Sequence, residues 1–93
     1  SLVTKQVDSS KVREILIAVV KEIELIDNYG LEELHNKIEK LPEQLGVKVG
    51  AVYLPIRIAV LGKKATPPLF ESLVVLGKSE TLRRLRETVE LLG

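Results

Sequence analysis

The sequence predicts an all-α domain, a compact bundle of about five helices, and three observations predict it. Apolar residues recur at spacings of three and four through every long segment. Glycine and proline fall where those segments begin, end or break. The one Val/Ile-rich run that would also suit a strand carries Pro55 in its middle and has no partner run. Ninety-three residues make one domain, and the 45% of hydrophobic residues supply a modest core.

Residues 1–8 are polar without a period and read as a frayed lead-in. Ser9 or Ser10 supplies a capping hydroxyl, and Val12, Ile15, Leu16, Val19, Val20, Ile23 and Ile26 then form one wide apolar stripe. Asp27-Asn28-Tyr29-Gly30 stops this first helix, with Gly30 suited to a left-handed position. A second helix runs from Leu31 to Leu45, with Leu31, Leu34, Ile38, Leu41 and Leu45 on one face. Pro42 lacks the N–H that the carbonyl four residues back needs, so a kink or break is expected near Lys40.

The third helix, Gly50 to Leu61, is apolar on almost every side and is expected at the centre of the bundle. Gly62 ends it and a basic loop follows. Thr66-Pro67 reads as a hydroxyl cap before a first-turn proline. The fourth helix then places Leu69, Leu73 and Leu76 on its core face. Gly77 closes it, and Ser79 is expected to cap the last helix, whose core face is Leu82, Leu85, Val89 and Leu92. Glu80 and Arg84 form an i,i+4 pair in the favourable orientation, worth roughly 0.2–0.5 kcal/mol.

Net charge is only +1, but its distribution is uneven. Ser1 to Leu45 holds six Lys/Arg against nine Asp/Glu, a balance of −3, and Gly46 to Gly93 holds eight against four, a balance of +4. Such asymmetry suits a polyanionic partner for the basic half, although solvated helix faces with no partner give the same count. The absence of cysteine excludes disulfides and thiol metal sites and is compatible with a reducing compartment. No run approaches the roughly 20 apolar residues that span a bilayer. His35 is the only histidine and stands among Glu32, Glu33 and Glu39, an arrangement that reads as a surface residue on an acidic face rather than a metal site. Neither a catalytic constellation nor a phosphate-binding glycine loop is recognisable.

The chemistry that remains is concentrated between Leu54 and Phe70. Arg57 is the only charge between Val49 and Gly62, and a charge in such a run must reach water, a carboxylate or a phosphate. With Tyr29, Tyr53 and Phe70 as the only aromatics, a stacking platform for several bases is excluded. Single-stranded RNA is also read by splayed bases against apolar or guanidinium planes, with polar groups on base edges. Arg57, the Thr66 hydroxyl, the Pro67 ring and Leu69 supply those groups, and Lys63 and Lys64 suit phosphate contacts. Local pattern alone equally allows Arg57 a surface position with a packed stem, Thr66 a cap, Pro67 a first turn and Leu69 a core position.

The same stretch carries a resemblance. Pro55-Ile56-Arg57-Ile58-Ala59-Val60-Leu61-Gly62, then Thr66-Pro67-Pro68-Leu69-Phe70, then Leu76-Gly77-Lys78 and Leu82-Arg83-Arg84-Leu85 follow one another in order. This series resembles the carboxyl end of bacterial-type, class I glutamyl-tRNA synthetases, from about Leu31 to Leu85 and most strongly from Gly46. Leu61 stands where that family usually has Thr, and Ser79 where it usually has an acid. The resemblance implies an anticodon-binding subdomain in which Arg57, Thr66, Pro67 and Leu69 contact the anticodon. It further implies a catalytic domain upstream in the same chain, holding ATP and Mg, with no cofactor in this segment and a cytoplasmic location. The family's His-Ile-Gly-His-like and Lys-Met-Ser-Lys-Ser-like signatures do not occur in these 93 residues. The implied partner is tRNA(Glu), with tRNA(Gln) left open, and no membrane. The alternative class is a small helical protein-interaction module that docks through an exposed part of the third helix.

Overall fold

A computed structural model describes residues 8–63 and 67–93. Among them are six α-helices: α1 Ser9–Glu24, α2 Leu31–Ile38, α3 Leu41–Leu45, α4 Val49–Leu61, α5 Leu69–Leu76 and α6 Lys78–Leu92. No strand occurs among the described residues. The sixth helix arises at the expected break. α2 ends at Ile38, and α3 restarts from Lys40 with Pro42 in its first turn, where a missing N–H costs nothing. Gly46 then closes α3 at φ 67°, with its N–H on the Glu43 carbonyl and that of Val47 on Pro42.

Several ends differ from expectation. The cap of α1 is Asp8, whose carboxylate accepts from the Lys11 N–H at 2.8 Å, rather than Ser9 or Ser10. Helix α1 already ends at Glu24 with Leu25 as its cap, so Ile26 is buried two residues beyond it. Gly30 is extended at φ −172° and begins α2, so no left-handed residue is needed there. Leu31, at the edge of its stripe, is 41% exposed. Gly77, not Ser79, occupies the cap position of α6.

The core is built on α1, not on α4. Val12, Ile15, Leu16, Val19, Val20 and Ile23 are all buried, and α1 packs against α2, α3, α4 and α6. Helix α4 buries Val52, Pro55, Ile56 and Val60 while Leu54, Ile58 and Leu61 stay half-buried. An apolar surround therefore did not mean burial on every side; a full stripe backed by a charged face buried more completely. On α6, Leu82 and Leu85 are buried, while Val89 and Leu92 pack against the core from its edge.

Polar ties fix the helix ends. Lys78 Nζ donates to the carbonyls of Glu24 at 3.3 Å and Ile26 at 2.5 Å, capping the exit of α1 with a cation. Lys40 pairs with Glu22 at 3.2 Å, and Arg86 pairs with Glu24. Tyr29 reaches from the α1–α2 connection and donates its hydroxyl to the Leu73 carbonyl at 2.7 Å.

Candidate nucleic-acid interface

The basic loop leaves α4 through Gly62, which is left-handed at φ 70° and donates to the carbonyls of Arg57 and Ile58 at 3.1 and 3.0 Å. This turn delivers Lys63 to the surface. Lys64 and Thr66 lie outside the described residues. The chain returns at Pro67 and Pro68, both exposed, and enters α5 at Leu69.

Helix α5 begins two residues later than the Thr66-Pro67 pattern suggests. Pro68 is extended at φ −56°, ψ 134° and holds the cap position, so Pro67 is not a first-turn residue. The reason is the second proline: its ring disfavours helical backbone in the residue before it. No side chain caps the first-turn amides of α5; Ser72 instead donates both its N–H and its Oγ to the Pro68 carbonyl, at 3.1 and 2.7 Å.

Arg57 and Pro67 are brought together across this loop. Arg57 is half-buried on α4, and its Nη1 donates to the Pro67 carbonyl at 2.7 Å. Leu69, expected to contact RNA, is only 4% exposed and belongs to the core at the first residue of α5. Beside it, Phe70 is buried with its ring 4.0 Å from that of His35 and edge-on to Tyr53 at 5.4 Å. His35 is thus a half-buried packing residue rather than a purely surface one. These contacts seat the start of α5 on α2 and α4.

A second guanidinium stands at the same end of α4, and its reach was not visible in the sequence. Arg84 Nη1 donates to the Val60 carbonyl at 2.6 Å, and its Nε donates to Glu80 Oε2 at 2.7 Å. The Glu80–Arg84 spacing was legible as an i,i+4 pair, but the cross-helix bond depends on how α6 lies against α4. Arg83 also donates twice to Glu80, at 2.9 and 2.8 Å. Arg83 and Arg84 together hold the Glu80 carboxyl at a pKa of about 2. Arg57, Lys63 and Pro67 thus lie along this corner, Arg84 reaches the last turn of α4 from α6 with Glu80 behind it, and Glu71 stands in the first turn of α5. No group of His, Asp or Glu that could hold a metal ion occurs among the described residues.

A family model described as an anticodon binding domain matches residues 1–89. The chain belongs to that family. Among curated relatives it is 38% identical over 78 residues to glutamate–tRNA ligase 2 of Thermosipho melanesiensis, covering 84% of this chain and 17% of that protein. It is 45% identical over 80 residues to the glutamate–tRNA ligase of Clostridium tetani, covering 85% and 16%. To the glutamate–tRNA ligase of Roseiflexus castenholzii it is 33% identical over 93 residues, covering 100% and 18%. The chain thus spans about one-sixth of the length of these relatives. As an anticodon binding domain it is a helical domain whose basic half carries the α4–α5 corner. No helix among the described residues is long and apolar enough to cross a membrane.

Proposed function

We propose that this chain is the anticodon-recognising part of a glutamate–tRNA ligase, and that the α4–α5 corner is the surface applied to the anticodon. The observation that carries the reading is the family match over residues 1–89, with glutamate–tRNA ligases among the relatives at 33–45% identity. The corner supports it chemically. Arg57 contributes donors, Lys63 and Lys64 contribute charge for phosphates, and the flat ring of Pro67 offers an apolar face to an unstacked base. Thr66 adds one hydroxyl that donates and accepts. Leu69, buried at the first residue of α5, contributes through core packing.

In this reading tRNA(Glu) is the partner, glutamate activation with ATP and Mg belongs to an upstream catalytic domain of the same polypeptide, and the enzyme works in the cytoplasm. The chain supplies affinity and identity, and charges nothing by itself. tRNA(Gln) is a substrate of the same parent only if the third anticodon base is not discriminated elsewhere in the polypeptide.

The test is binding of tRNA(Glu) transcripts to this chain at graded salt. Affinity is expected to fall steeply as ionic strength rises, because phosphate contacts release counterions. In this reading the anticodon is a C/U-U-C triplet, and replacing its middle U by a purine is expected to weaken binding by on the order of 1–3 kcal/mol, by analogy with base readout in DNA. Equal affinity for both transcripts would remove the anticodon reading.

A further inference from the structure

Val60 is the penultimate residue of α4, and its carbonyl is among the four that a helix leaves without an intrahelical donor. Arg84 supplies that donor from another helix at 2.6 Å. The same guanidinium is fixed behind by Glu80 at 2.7 Å, so its planar fork spans a carboxylate on α6 and a carbonyl on α4. Two residues past Val60 the chain turns at Gly62, and the next residue is Lys63. Three residues before Val60 is Arg57, whose own carbonyl receives the Gly62 N–H and whose Nη1 holds Pro67.

We propose that Arg84, held by Glu80, is a positioning residue for anticodon recognition: it pins the last turn of α4 and so sets where Arg57 and Lys63 are presented to the tRNA. The proposal rests on the anticodon reading given above. Arg84 acts through α4 and not through contact with RNA. Glu80 keeps its charge at neutral pH, because the hydrogen bonds from Arg83 and Arg84 hold its carboxyl at a pKa of about 2. Two carbonyls at the corner are thereby held by guanidinium groups, Val60 by Arg84 and Pro67 by Arg57, one on each side of the loop.

The Glu80 partner makes the proposal separable from simple electrostatics. Removing a carboxylate near a polyanion site tightens binding of every tRNA on charge alone. Under the positioning role, the same change loosens Arg84 and blurs the choice of base. Three proteins are compared: the wild-type chain, Glu80→Gln and Arg84→Met. Each is titrated with tRNA(Glu) and with the same tRNA carrying a purine at the middle anticodon position. The wild type is expected to prefer the former; no preference there would overturn the anticodon reading and this inference with it. With that preference present, both variants are expected to lose it by on the order of tenfold, the weight of one base contact. Melting curves run alongside, and Glu80→Gln, which keeps the side-chain volume, decides the matter if Arg84→Met fails to fold. An unchanged preference in Glu80→Gln, with both affinities raised equally, would overturn the proposal. So would a loss in Arg84→Met that is equal for the two tRNAs, which is the signature of a phosphate contact.

Discussion

Arg57 Nη1 donates to the carbonyl of Pro67 at 2.7 Å, joining the last turn of α4 to the chain entering α5 ten residues later. The bond joins two residues that the resemblance assigns to one RNA contact, and it gives Arg57 a structural duty besides. Hydrogen bonds from charged donors contribute about 1.5–3 kcal/mol when shielded, and this one is exposed, so Arg57→Ala is expected to cost ~1 kcal/mol. For a domain of this size that lowers the melting temperature by about 4–8 °C. A loss of roughly 3–5 kcal/mol would instead mark a buried ion pair. In tRNA titrations Arg57→Ala is expected to shrink the preference for the middle U, and an unchanged preference would leave Arg57 a positioning residue only.

Lysines at the loop are expected to behave differently. Lys63 is exposed just past Gly62, and Lys64 follows it in sequence. A phosphate contact carries no base information, so Lys63→Ala and Lys64→Ala should weaken matched and mismatched tRNA by the same factor. Each should also reduce the slope of log affinity against log salt by about 1. Titrations between about 50 and 200 mM salt measure both quantities. A change of preference in either variant would make that lysine a base reader.

The all-α class, the break before Pro42 and the glycine stop at Gly62 were legible because each rests on a backbone rule that acts locally. The helix starts were less so. Asp8 and Ser9 are both good caps, and only the fold selects between them. Pro67 followed by Pro68 opposes two local rules, first-turn preference and pre-proline restriction, and the second prevails. The choice of central helix was misjudged because hydrophobicity reports what can be buried, whereas burial depends on how many neighbours close over it. Among the described residues, Leu54, Ile58 and Leu61 are only half-buried, Leu61 against the edge of the core. The Arg57–Pro67 and Arg84–Val60 bonds were illegible for another reason. Each ends on a backbone carbonyl, and a carbonyl has no residue signature.

Gly77 offers a test of backbone geometry alone. It joins α5 to α6 at φ 86°, ψ 160°, a region open essentially to glycine, and a Cβ built there meets nothing within 4 Å. Gly77→Ala is therefore expected to cost about 1–3 kcal/mol through strain, with no steric part. Gly50 is the counterpart: it lies in the first turn of α4 without a positive φ and with equally open space. Gly50→Ala should raise stability, by up to roughly 0.5–1 kcal/mol. Urea unfolding of the two variants gives both signs, and a neutral Gly77→Ala would mean that the α5–α6 junction relaxes to another conformation.

The remaining expectation concerns alkaline stability and Tyr29. Its hydroxyl donates to the Leu73 carbonyl at 2.7 Å and lies 3.2 Å from Thr81 Oγ1, a buried residue of α6. Burial pushes the Tyr29 pKa above 10, and the Thr81 hydrogen bond opposes that rise without cancelling it. In the unfolded chain the phenol ionises near pH 10, while in the folded chain it still holds its proton there. Above about pH 10 the unfolded state thus binds fewer protons than the native one, and stability falls with rising pH until the folded phenol also ionises. Below pH 10 this group contributes no slope. Tyr29→Phe should lose one hydrogen bond at neutral pH, about 0.5–1.5 kcal/mol. The low end is expected, because the Leu73 carbonyl keeps the Gly77 N–H at 3.1 Å and the Thr81 hydroxyl at 3.3 Å. In return the variant should lose less stability than wild type as the pH rises above about 10. Tyr53, also raised by burial and then by the Glu39 charge, contributes a slope of the same sign. Tyr53→Phe is therefore the companion variant, and lysine titration is common to all three proteins. Parallel alkaline losses in wild type and Tyr29→Phe would show that the Tyr29 hydroxyl is as solvated in the folded chain as in the unfolded one.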